Sequence, residues 1–181
     1  TTDHAMSATL GRFENPFNNT LMLWADDLGF DGAVVNLNHT LFENLNTFVT
    51  AGAFPIFNTD LNFPSNQPSK YKSEDKWLYG VQVGARYDKL TDISLKGSAA
   101  LYYFDQVNGK LSTPYTPLTS SDMGNTDDSR PSYAQSGNTY MPLRNIISSA
   151  LNNYGAINQY QYFGLASLFN DVVLDGQIDF T

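Results

Sequence analysis

The sequence predicts an all-β chain: an antiparallel meander with the character of a partial outer-membrane β-barrel. Three observations predict it. The first is the stretch Lys76 to Asp105, KWLYGVQVGARYDKLTDISLKGSAALYYFD, which alternates with period 2 through two arms. In the first arm Trp77, Tyr79, Val81, Val83, Ala85 and Tyr87 share one face, opposite Gly80, Gln82, Gly84 and Arg86. In the second, Ile93, Leu95, Gly97, Ala99, Leu101 and Tyr103 lie opposite Asp92, Ser94, Lys96, Ser98, Ala100 and Tyr102. Successive strand side chains point to opposite faces, so this is a hairpin with one apolar and one polar face. The second observation is length: ordinary strands run about 5–6 residues, whereas a strand crossing a bilayer needs about 9–11. Both arms are of the longer kind.

The third observation is how the connections are sorted. Short ones are expected at Phe42–Asn46, Lys89–Leu90 and Asn170–Asp171, and long polar ones at Glu14–Gly29, Asn58–Asp75 and Gln106–Tyr160. Short and long alternate along the chain, which puts all the short turns on one rim and all the long loops on the other. Outer-membrane barrels have this asymmetry, and a Greek-key sandwich has no reason to adopt it.

Taken in order, about seven strands are expected. Met6–Phe13 is the first. Phe30–Leu41 is the second, with Ala33, Val35, Leu37 and Leu41 alternating with Val34, Asn36, Asn38 and Thr40. Thr47–Phe57 is the third, and its Pro55 suits a strand end or edge. The hairpin arms Lys76–Asp88 and Thr91–Asp105 follow, then Gln161–Phe169. Val172–Thr181 is the last, with Leu174, Gly176, Ile178 and Phe180 opposite Val173, Asp175, Gln177, Asp179 and Thr181.

The segment 106–160 is too long for a plain connection. Within it Leu143, Ile146, Ile147, Ala150 and Leu151 fall at helical spacing, which predicts one short amphipathic helix. The expected organisation is a single barrel segment over residues 1–181, with this loop covering the mouth or folding inward to narrow it. Asp122, Asp127, Asp128 and Arg130 are the loop's candidate constriction residues.

Composition limits the function. The formal net charge is −8, which argues against nucleic acid as a partner, because phosphate binding needs a basic patch. In a pore the same charge would favour cations. No run of apolar residues is long enough for a transmembrane helix, and there is no cysteine for a disulfide, thiolate site or cysteine nucleophile. The opening residues Thr-Thr-Asp-His carry no secretory signal, which predicts either a removed signal or an internal piece of a longer protein.

No catalytic, metal or cofactor motif is found: there is no Gly-rich phosphate loop, HExxH or GxSxG. Asp26, Asp27 and Asp31 cluster without the spacing or closing Glu of an EF-hand, so they are expected to be acidic loop residues. His39 should lie on the lipid face near the short-turn rim, with no nucleophile or orienting acid paired with it. The polar face instead offers a lumen wall. Asn36, Asn38, Gln82, Arg86, Lys96, Asp175 and Asp179 are its pore-lining candidates, and there they would escape the cost of facing lipid. The competing expectation is a soluble secreted or periplasmic β-sandwich that binds carbohydrate through exposed Trp and Tyr. A sandwich would bury the Trp77, Tyr79, Val81, Val83 stripe against a second sheet.

Several stretches carry a family resemblance. They are Leu10-Gly-Arg-Phe-Glu-Asn-Pro-Phe17, Phe30-Asp-Gly32, Asp75-Lys-Trp-Leu78, Tyr102-Tyr-Phe-Asp105 with Asn108-Gly109, Asp128-Ser-Arg-Pro-Ser132 with Gln135–Thr139, and Tyr162-Phe-Gly-Leu-Ala-Ser167. In this order they resemble the putative porins of proteobacterial outer membranes. The resemblance implies an antiparallel barrel in the cell outer membrane that passes small solutes passively, without catalytic residues or cofactors. Its partners would be outer-membrane lipid and small solutes or ions, and homo-oligomeric assembly is compatible with it. Family members are longer, so this chain is expected to be a middle portion whose wall is completed by further strands or a partner.

Overall fold

The computed structural model describes residues 4–18, 23–25, 27–57, 75–90, 93–131, 136–155 and 160–180. In chain order the strands are β1 (His4–Glu14), β2 (Gly29–Phe42), β3 (Leu45–Phe57), β4 (Lys76–Leu90), β5 (Ile93–Asp105), β6 (Tyr140–Pro142), β7 (Phe163–Leu165) and β8 (Asn170–Phe180). There are two compact units. The first comprises residues 1–56, 77–104 and 170–181, and the second 57–76 and 105–169.

The first unit is built on one antiparallel sheet in the order β1-β2-β3-β4-β5-β8. Its strands are 11 to 15 residues long, at or above the about 9–11 that a bilayer-crossing strand needs. Register keeps like with like. Met6 pairs with Leu37 and Leu37 with Val49, while Leu95 pairs with Ile178 and Ala99 with Leu174. The resulting apolar face is open: Leu10 is 82% exposed, Leu174 80%, and Val81 and Val83 49% each. A stripe buried in a sandwich would be covered. Aromatic residues mark its two ends. Trp77 stacks on Tyr79 (ring centroids 6.1 Å apart) and Tyr79 on Tyr103 (6.3 Å), while Tyr87 and Phe180 lie toward the short-turn rim. His39 sits on this face at that rim, as alternation requires, and its ring stacks on His4 at 4.1 Å.

The sheet is open among the described residues, with β1 and β8 as its edges. β1 starts opposite His39, and β8 finishes with Phe180 opposite Ile93. The chain therefore enters and leaves the sheet on the rim of the short turns. The turn expected at Lys89–Leu90 is instead the end of β4; residues 91 and 92, expected to open the second arm, lie outside the described residues, as do much of the Asn58–Asp75 connection and Thr181.

The expected strand Gln161–Phe169 is not part of this sheet. Only Phe163–Leu165 is extended, and it pairs with Tyr140–Pro142 in a separate two-stranded sheet. The turn expected at Asn170–Asp171 is instead the start of β8, where Asn170 pairs with Tyr103 and Asp171 with Tyr102. The principal sheet thus has six long strands rather than seven, and the final long connection extends from residue 106 to 169.

The second unit is held by short bridges and side-chain bonds. The Gly109 N–H donates to the Leu165 carbonyl at 2.7 Å, and Asn108 and Leu165 form a parallel bridge. A Cβ on Gly164 would lie 2.8 Å from the Gly109 Cα, so the two backbone segments touch only because both positions are glycine. The helix expected over Leu143–Leu151 does not form. Leu143 is fully buried and Ile146 bridges to Tyr115, whereas Ile147 and Leu151 are 49% and 73% exposed. These apolar residues therefore do not share one face. A six-residue 3-10 turn, Ala150–Gly155, follows.

Candidate functional site

The polar face of the six-stranded sheet carries every expected pore-lining residue, but it has two parts. Toward the short-turn rim it is a network of charge. The Arg86 Nε donates to Asp88 Oδ1 at 2.8 Å, and Arg86 Nη2 lies 3.5 Å from Ser94 Oγ. Ser94 Oγ donates in turn to Asp179 Oδ2 at 3.3 Å, and Gln177 Nε2 to Asp179 Oδ1 at 2.7 Å. Thr50 Oγ1 donates to Asn36 Oδ1 at 2.8 Å, and Asn38 is paired opposite Phe48. Asp175 lies opposite Ser98 on the same face. The Arg86–Asp88 pair is substantially exposed, so its stabilising contribution is about 0–1 kcal/mol. Its importance is in placing charge along the face.

Toward the long-loop rim the same face becomes apolar. Phe30, Val34, Phe54, Leu78, Ala100 and Tyr102 form a buried cluster there, and Phe17 from the β1–β2 connection completes it. The rings meet edge to face: Phe17 lies 5.0 Å from Tyr102 and 5.8 Å from Phe54, and Trp24 lies 5.3 Å from Tyr102. Each such pair contributes about 0.5–1.5 kcal/mol beyond its buried area. Two glycines make room. A Cβ on Gly80 would come within 2.5 Å of Phe17 Cζ, and one on Gly32, which has φ +150°, within 2.3 Å of the Ala53 carbonyl oxygen.

Gln82 was expected on an open wall, but it is buried, 2% exposed. Its amide grips the backbone of the β1–β2 connection where that segment lies on this face: Asn18 N donates to Gln82 Oε1 at 2.7 Å, and Gln82 Nε2 donates to the Asn18 carbonyl at 2.5 Å and to Ser98 Oγ at 3.2 Å. The Lys96 ammonium donates to Asn18 Oδ1 at 2.5 Å. Glu14–Gly29, expected as a long polar connection, instead sends Phe17 into this cluster. Its large apolar residues Phe17, Leu23 and Trp24 carry that signal, since a solvated loop has no need of them.

The loop residues Asp122, Asp127, Asp128 and Arg130 belong to the second unit. Asp127 is buried and bidentate to Arg144, with Arg144 Nη2 2.7 Å from Asp127 Oδ2. Arg130 is exposed, with its guanidinium 4.8 Å from the centre of the Tyr162 ring. The Asp128 carbonyl accepts from Lys76 Nζ at 3.3 Å. Asp122 turns its carboxylate onto its own loop, accepting the Leu118 N–H at 2.7 Å, the Thr119 N–H at 3.1 Å and the Thr119 hydroxyl at 2.9 Å.

The backbone N–H of Leu118, followed by the Thr119 hydroxyl and N–H, holds the Asp122 carboxyl below its usual pKa. A depressed folded-state pKa contributes stability above the unfolded value, near ~4, and that stability is lost as pH falls through the lower folded value. The carboxyl resonance of Asp122 should therefore titrate at a lower pH than a free aspartate, and Asp122→Asn should remove that part of the acid response. A normal midpoint would show that these bonds do not persist in solution.

Among the described residues no three His, Asp or Glu side chains converge as a metal site. Asp26, one member of the acidic trio noted in the sequence, lies outside the described residues. No match was found among curated proteins or solved structures. A family model described as putative porin matches residues 1–181. With long strands, one exposed apolar face and one charged face behind that match, the chain belongs to the putative porin family.

Proposed function

We propose that this chain forms part of the wall of an outer-membrane channel, through which small hydrophilic solutes or ions diffuse passively with a weak preference for cations. The observation that carries this reading is the apolar face, which runs across all six strands and stays exposed. In water a continuous patch of this kind marks a binding surface; banded by aromatic residues on long strands, it fits lipid. The competing carbohydrate-binding sandwich has no use for an uncovered stripe.

Among the described residues β1 and β8 each pair on one side only, and an open edge of this kind is not tolerated in lipid. Further strands or a partner chain would complete the wall. Cation preference comes from carboxylates that stay on the charged part of the polar face, chiefly Asp175 and Asp179. It does not come from Asp127, whose charge is matched internally by Arg144.

The test is planar-bilayer recording from the full-length protein under a KCl gradient. Discrete conductance steps with a cation-selective reversal potential are expected, and Asp175→Asn with Asp179→Asn should move that potential toward zero. A protein that is monomeric in plain buffer and silent in bilayers would overturn the channel reading.

A further inference from the structure

We infer that the inward-folded start of the β1–β2 connection, Phe17 and Asn18, is the constriction that sets the channel's conductance. This rests on the proposed function, and it assigns the narrowing to a different segment from the one sequence reasoning favoured. Three independent contacts hold the segment against the lumen face. Phe17 is 4% exposed and fills the space left by Gly80 amid Phe30, Phe54 and Tyr102. The buried Gln82 amide pairs with both backbone groups of Asn18, as a neighbouring strand would. Lys96 holds the Asn18 side chain. A loop that merely passed over the rim would need none of these, and a buried Gln on a lumen wall is explained only by what it holds.

The location also carries charge. Lys96 pairs opposite Gln177, between the positions of Asp175 and Asp179 on the neighbouring strand. Diagonal cross-strand neighbours are within reach of long side chains. A cation held at Asn18, with carboxylates on the next strand, places opposite charges at the edge of the plug, where a permeating ion passes closest to them.

The experiment is single-channel recording in KCl of the full-length protein and its variants. Phe17→Ala removes the ring and Gln82→Leu removes the amide grip, so both should raise unitary conductance. Lys96→Ala should shift the reversal potential further toward cation selectivity. Folding is checked by protease protection in the same vesicles. Because no cysteine occurs in this sequence, Asn18→Cys gives a second measurement within this segment: it gives up the Lys96 contact but keeps the backbone that Gln82 grips. A cationic methanethiosulfonate reagent should lower conductance through that variant. Unchanged conductance in Phe17→Ala and Gln82→Leu, together with an Asn18→Cys channel indifferent to the reagent, would overturn the assignment while leaving the channel reading intact. A wild-type protein that does not conduct would overturn both.

Discussion

Val83→Arg should destabilise the membrane-inserted protein by about 2–4 kcal/mol, the cost of an arginine on the lipid face of a barrel at mid-bilayer. Val83 stands midway along β4 and is 49% exposed on the apolar face. If that face met water, the same change would be an ordinary surface substitution with an effect within about 0.5 kcal/mol. The two environments thus differ severalfold for one residue, and urea unfolding from liposomes distinguishes them. Asn38→Arg supplies the contrast. Asn38 lies on the polar face, opposite Phe48, so its substitution should alter ion selectivity more than stability. If Val83→Arg unfolds at the wild-type urea midpoint, the face does not contact lipid.

The contrast between these two positions also explains why the long strands were legible in the sequence. A sheet between two solvents of opposite polarity writes its register into every second residue, because a slip of one would reverse both faces. The predicted Phe30–Leu41, Thr47–Phe57 and Lys76–Asp105 stretches accordingly differ from β2, β3 and the β4–β5 hairpin by only a residue or two at their ends. That discipline ends where the chain leaves the sheet. Gln161–Phe169 alternates passably, but only Phe163–Leu165 finds a partner strand. Leu143–Leu151 has helical spacing, yet each residue answers a separate local demand: Leu143 is fully buried, Arg144 seeks Asp127, and Ile146 bridges to Tyr115.

The candidate site was legible only in part, for a related reason. Period-2 alternation places a residue on a face without saying what else covers that face. Arg86, Lys96 and Asp179 lie on the polar face of the sheet, where alternation puts them. Gln82 looked the same in sequence, and it proved to be a clamp on the Asn18 backbone. The amide recurs in this role: Gln161 Oε1 accepts the Arg144 N–H, and Gln161 Nε2 donates to the Arg144 carbonyl, both at 2.8 Å. Irregular backbone needs partners from somewhere, and in both units a glutamine side chain supplies them. Composition alone does not tell such a glutamine from a solvated one.

Arg144→Ala should have the second large effect, loosening the 105–169 unit by about 3–5 kcal/mol, as expected when one member of a buried ion pair is removed. The guanidinium is wholly buried, and Asp127 nearly so. Arg144 Nε lies 3.1 Å from both Asp127 oxygens, and Nη1 donates to the Tyr160 carbonyl at 2.8 Å and the Ser120 carbonyl at 3.3 Å. Its centre is 4.0 Å from that of the Tyr162 ring. One planar group therefore joins a carboxylate, two loop carbonyls and an aromatic face. Truncating it leaves the carboxylate buried without its counter-charge and the carbonyls without their donor. Arg144→Lys should rescue little, because an ammonium lacks the fork that makes the pair bidentate. Replacing both partners, as Asp127→Leu with Arg144→Met, should cost less than Arg144→Ala, since no charge is then stranded. Limited proteolysis of the vesicle-inserted protein reads this directly, through cleavage within residues 105–169. If Arg144→Ala is cut no faster than wild type, the pair does not hold the unit together. In that case the Asp127 charge would again be a candidate for the ion path.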